Sequence, residues 1–152
     1  MKLAEALILR ADRKKRLEHL KERLGRIVKV QEGDQPAENP EALLQEVDRA
    51  AADLTRLIKQ INRTNANSQL DDGRTIADAI ADRDDLRLRH TILNGVIQAA
   101  SIRQERFTKS EVRFQTTVNA GALQQQADDL AQAYRELDTK IQSANWLIDL
   151  IN

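Results

Sequence analysis

The sequence predicts an all-α protein, and three observations carry the prediction. Apolar residues recur at alternating steps of three and four over most of the chain, which is the spacing of one helix face. Only 3% of residues are aromatic and 2 are Pro, while Ala, Leu, Gln, Arg and Asp recur throughout, a mixture that favours long helices over sheets. Turn chemistry gathers in "QEGDQPAENP" and "DDGR", which cut the pattern into helix-length pieces. At 152 residues the expectation is a single helical domain, 1–152.

The first helix runs from Leu3 to about Val30. Its row is Leu17, Leu20, Leu24 and Ile27, and carried backwards it meets Arg13, Arg10, Ala6 and Leu3. Gly33 and Pro36 break the pattern, and Asn39 before Pro40 supplies a cap and a first helical position for the second helix. There Leu44, Val47, Ala51, Leu54, Ile58 and Ile61 form a 4/3 row that reaches Asn65. After "DDGR", Thr75 with Asp78 reads as a capping box for a third helix extending to about Gln104, with Ala79, Leu86, Leu93, Ile97 and Ala100 in one row beside Arg83 and His90. Residues 111–118 then alternate apolar and polar, so a short extended or β arm is expected near 107–118, its pairing partner left open. Asn119 caps a last helix whose row is Leu123, Ala127, Leu130, Tyr134, Leu137, Ile141, Ala144, Ile148 and Ile151.

The chain also repeats itself. "LAEALILRAD" from Leu3 falls on "IADAIADRDD" from Ile76 at an offset of 73, with acid on acid at Glu5 and Asp78 and Arg on Arg at Arg10 and Arg83. "NPEALLQEVD" from Asn39 falls on "NAGALQQQAD" from Asn119 at an offset of 80. Two amphipathic hairpins share apolar positions by chance; agreement at polar positions points to two copies of one unit, about 3–65 and 76–145. The expected architecture is an elongated four-helix bundle or coiled coil made of two duplicated hairpins. Rows flanked by Leu43, Leu57, Leu88, Ile92, Val96 and Leu147 need cover, so the expected partner is the protein itself, as a homo-dimer or higher oligomer.

Charge narrows the function classes. Lys plus Arg and Asp plus Glu stand at 24 each, so no net field attracts a polyanion or an anionic bilayer, and neither a nucleic acid nor a membrane is expected as partner. The absence of Cys excludes disulfides, thiolate zinc sites and cysteine nucleophiles. The start "MKLAEALILRADRKK" has a short apolar element broken by Glu5 and Arg10, so no secretion signal is read there and a cytoplasmic location is expected. Residues 10–29 hold nine Lys or Arg against three acids, and residues 32–53 hold seven acids against one Arg, which suits antiparallel neighbours.

No constellation rises to a catalytic motif, so an enzyme is the lesser reading and no cofactor is expected. A di-iron bundle needs Glu-x-x-His ligands facing inward; His19 directly follows Glu18 and His90 has no acid three residues earlier, so no metal site is expected. The acids in "LDDGRTIADAIADRDD" lack the paired spacing of magnesium-dependent pyrophosphohydrolases and suit a solvated helix start. What stands out is the set of polar groups on or beside the apolar rows: Glu5, Arg10, Arg13, Asn62, Asn65, Asp78, Arg83, His90 and Asn145. They read as a buried network that sets register and oligomeric state, or as an Arg/Asn-lined pocket for a small anion or carboxylate. Trp146, the single Trp, reads as an interface anchor.

The strings "KLAEALILRAD", "VQEGDQPAENPEALL", "INRTNA", "DGRTIADAIADRD" and "ELDTKIQSANW" together resemble an uncharacterised family of small bacterial helical proteins, some of whose members are labelled septicolysin. The resemblance spans nearly the whole chain and implies a helical, soluble, oligomeric protein with no assigned catalytic residues. A cytolysin-like toxin, which the label implies, is the weakest function; a thiol-activated toxin needs a Cys that this chain lacks. The leading expectation is a structural or protein-interaction protein, the alternative a small-molecule or anion-binding protein or enzyme using the Arg/Asn cluster.

Overall fold

The computed structural model describes residues 1–101 and 113–152. Among these the protein is all-α, with α1 (Leu3–Ile27), α2 (Pro40–Asn67), α3 (Ile76–Ala100) and α4 (Ala120–Leu147). No strand ladder occurs among the described residues, which hold only the isolated bridges Lys2–Asp149 and Gln69–Thr75. The helices begin where the sequence supplies oxygen to unpaired N–H groups. Asn39 Oδ1 accepts from the N–H groups of Glu41 (3.0 Å) and Ala42 (3.3 Å), with Pro40 opening α2, and Asn119 Oδ1 accepts from Ala122 N (3.0 Å). Gly73 sits at φ +86°, a conformation open to glycine without strain, in the turn that Leu70 N closes onto Arg74 O at 2.8 Å.

Two compact units result: Met1–Ile76 with Gln142–Asn152, and Ala77–Ile141. In the first, α1 and α2 run antiparallel, since Arg13 meets Asp53, Arg16 meets Glu46 and Arg23 meets Glu38. Leu20, Ile27 and Leu43 form a buried cluster against Leu24, Val47 and Ala50. Each such aliphatic contributes roughly 1.5–3 kcal/mol on full burial. The α1 row is the expected one, with Leu3, Ala6, Leu20 and Ile27 buried and Arg10, Arg13, Leu17 and Leu24 half-buried. The α2 row is turned by one residue: Leu43, Leu57, Ile61 and Thr64 are buried, and Leu44, expected in the row, is 53% exposed. Apolar doublets at 43/44, 50/51 and 57/58 offer two parallel rows, and packing against α1 selects the first.

In the second unit α3 and α4 are antiparallel, with Arg83 bonded to Asp138 and Arg87 to Tyr134. Ala79 is fully buried, and Arg83, Leu86, His90, Leu93 and Ile97 follow half-buried in the expected row. On α4, Ala127, Leu137 and Ile141 are buried. The helix stops at Leu147, so Ile148 and Ile151 of its expected row lie past its end. Of the expected arm, 107–112 lies outside the described residues. Residues 113–118 form no strand; Thr116 Oγ1 closes a small turn with Val118, and Phe114 is 80% exposed.

Candidate functional site

The predicted polar set separates into pieces. Arg83, on the α3 row with 18% side-chain exposure, donates from Nη1 to Asp138 Oδ1 (2.9 Å) and from Nε and Nη2 to Asp84 Oδ1 (3.3 and 3.2 Å). Burial acts to lower its pKa, but the hydrogen bonds and charges of Asp138 and Asp84 outweigh it and leave the group above the ordinary arginine value. Arg13 donates from Nη1 to Asp53 O at 2.9 Å, spanning α1 to α2. Half-buried Arg10 makes no hydrogen bond or ion pair with the described residues. His90 is half-buried beside Asn94 Nδ2, 3.4 Å from its Nδ1. Asn145 is buried at 5% exposure and Asn65 is half-buried.

Three members are exposed, which corrects the expectation of a single buried network. Glu5 serves its own helix start, accepting from Lys2 N at 2.7 Å, which fits an acid at the positive end of a helix dipole. Asp78 occupies the matching first turn of α3. Asn62 follows buried Ile61 and falls outside the row that continues to Thr64. Trp146 is 56% exposed.

Thr64, which the sequence reading passed over, carries a fully buried hydroxyl. Its Oγ1 donates to Gln60 O (2.8 Å) and accepts from Ile151 N (2.9 Å), tying the C-terminal segment to α2. Around it lies a clasp of short extended segments. Leu3 N donates to Ile148 O and Leu150 N to Met1 O, both at 2.9 Å. Lys2 Nζ donates to Leu147 O (2.9 Å) and pairs with Asp149 (2.9 Å), whose carboxyl Lys2 holds below the usual aspartate value. The signal that would have found Thr64 was the sequence match at an offset of 80: the α4 row at 123, 127, 130, 134, 137, 141 and 144, carried back by 80, lands on 43, 47, 50, 54, 57, 61 and 64.

In the second unit an open cleft of about 580 Å³ lies between α3 and α4, lined by Arg89, Ile92, Leu93, Gln126, Asp129, Leu130 and Ala133. The cause is local. In the first hairpin Arg16 reaches across to Glu46 at 2.6 Å; at the positions offset by 73 and 80, Arg89 faces Gln126, which carries no charge, and turns back to Asp85 on its own helix at 3.0 Å. Leu88, Ile92 and Val96 continue the apolar lining outward on successive turns of α3, at 58, 55 and 38% exposure. Leu43 and Leu57, also expected to need cover, are instead buried in the first unit.

The chain is similar over its full length to a solved structure described as a functionally unknown conserved protein from Corynebacterium diphtheriae, with 38% identity, 99% of each chain covered and a TM-score of 0.93. Curated proteins give no match. Neither that description nor the matching family's carries the septicolysin label. With 10–150 matched, the chain belongs to DUF6847, a family of unknown function.

Proposed function

We propose that the protein is a non-catalytic helical interaction protein that assembles with copies of itself through the outer face of α3. The observation that carries this reading is the exposed row Leu88, Ile92 and Val96 continuing from the α3/α4 cleft. The aligned positions in the first hairpin are Lys15, His19 and Arg23, so at these three positions one hairpin carries aliphatics and the other polar or charged side chains. Covering a large aliphatic contributes roughly 1.5–3 kcal/mol, and three in line supply the centre of an interface. A second copy suits the row because two identical apolar stripes meet around a two-fold without stranding charge, and Arg89 is already paired within its helix. An anion pocket has less support, since Arg83 is committed to two carboxylates.

Light scattering over a concentration series tests the proposal. The parent chain is expected at a multiple of 17.2 kDa, and Ile92→Lys at the mass of one copy with unchanged helical circular dichroism. A parent that stays at the mass of one copy throughout ends this reading.

A further inference from the structure

Among the backbone bonds that hold the non-helical segments of the first unit, two sets correspond. The first is Leu3 N to Ile148 O (2.9 Å), Leu150 N to Met1 O (2.9 Å) and the bridge Lys2–Asp149. The second is Ile76 N to Ser68 O (3.0 Å), Leu70 N to Arg74 O (2.8 Å) and the bridge Gln69–Thr75. Moving Met1–Leu3 by 73 gives 74–76, and moving Ser68–Leu70 by 80 gives 148–150. Those offsets come from the repeated words of the sequence alone, and they convert every bond of one set into a bond of the other. The helix ends agree as well: Ser68 N bonds Thr64 O and Ile148 N bonds Ala144 O, each at 2.9 Å. Shared apolar rows follow from any two amphipathic helices; matched pairing of backbone N–H and C=O groups outside the helices does not.

An operation that exchanges the two sets is a two-fold, the symmetry of an isologous contact in which residue i meets j and j meets i. Each set joins the start of one hairpin to the end of the other, so neither hairpin closes a clasp alone. We infer that the clasp is an isologous docking surface whose partner is another hairpin of the same kind: the chain is a hairpin homodimer joined into one polypeptide, with residues 71–73 as the joint. Met1 and Leu150 stand as Arg74 and Leu70 do, at a second joint with the same geometry. The inference is independent of the α3 face.

A circular permutant tests it. The chain begins at Arg74, runs to Leu150, crosses to Met1 through an inserted Asp-Asp-Gly and ends at Leu70, so the new link copies the turn at residues 71–73. It is expected to melt cooperatively within about 5 °C of the parent; a larger fall overturns the equivalence. A second measurement leaves the chain order intact. Because the parent has no Cys, Lys2→Cys with Asp149→Cys, and separately Gln69→Cys with Thr75→Cys, report on the two clasps. Both pairs are expected to close within one chain at similar rates under mild oxidation. Closure of only the second pair overturns the proposal.

Discussion

Arg83 bonds Asp138 at 2.9 Å and joins α3 to α4, while the positions aligned with Asp138 and Asp84 in the first hairpin hold Ile58 and Ala11, neither of which is a carboxylate for Arg10, the counterpart of Arg83 at an offset of 73. One residue type on equivalent rows is therefore paired in one hairpin and has no bonding partner among the described residues in the other. Arg83→Met removes the cation facing a partly buried carboxylate and is expected to cost about 1–3 kcal/mol, whereas Arg10→Met should change stability by less than about 1 kcal/mol. Urea unfolding measures both; equal losses would contradict the pairing.

Thr64→Val keeps the shape of a buried side chain and removes the hydroxyl that accepts from Ile151 N. The expected cost is about 0.5–1.5 kcal/mol, the net scale of one hydrogen bond that is only partly buried. Amide exchange at Ile151 should accelerate more than at mid-helix sites such as Leu54. Unchanged protection at Ile151 would mean that Thr64 does not hold the C-terminal segment.

Gln126→Glu offers Arg89 the cross-helix acid that Glu46 offers Arg16. Stability is expected to change by no more than about 0.5 kcal/mol, because the pair is exposed. If the cleft serves assembly, the new bridge should narrow it and weaken association in light scattering, with the helical signal unchanged. Association as strong as in the parent would detach the cleft from that role.

Acid should loosen the first hairpin. Hydrogen bonding to Arg23 holds Glu38 below the usual glutamate value, and Arg16 does the same for Glu46. A carboxyl whose pKa falls on folding stabilises the protein above its unfolded value, 4.5 for these groups, and that contribution is lost as pH drops through the lower folded value. Stability is therefore expected to decline below about pH 4.5, and Glu38→Gln with Glu46→Gln should flatten the decline. Both sites are solvated, so added salt should reduce the effect. An identical acid slope in the double variant would assign the decline to other carboxylates.

Much of the fold was legible in the chain because helix periodicity is a local property. The rows of α1 and α3 were readable to the residue, since each offers one continuous face at 3, 6, 10, 13 and onward, and the caps at Asn39 and Asn119 follow from side-chain chemistry within three residues. The α2 row was not readable alone, because Leu43 and Leu44, Ala50 and Ala51, and Leu57 and Ile58 are equally apolar neighbours. The candidate site was less legible still. Arg13 and Arg83 on the rows were visible; the acceptor Asp53 O, the partner Asp138 and the cleft beside Gln126 depend on which residues a facing helix brings opposite.

What the sequence by itself determined is the helical class, the element order, the charge pairing that suits antiparallel neighbours and the two offsets, 73 and 80, at which its words align. All of these reside in spacings along one strand of chain. Only the tertiary structure decided that Thr64 is buried while Asn62 is solvated, that Arg10 and Arg83 differ in company, and that segments more than 140 residues apart, such as Leu3 and Ile148, share a hydrogen bond. The physical reason is that a helix's internal bonds leave its rotation about its own axis free, and a backbone N–H at its start carries no mark of which carbonyl it will meet. Packing sets both.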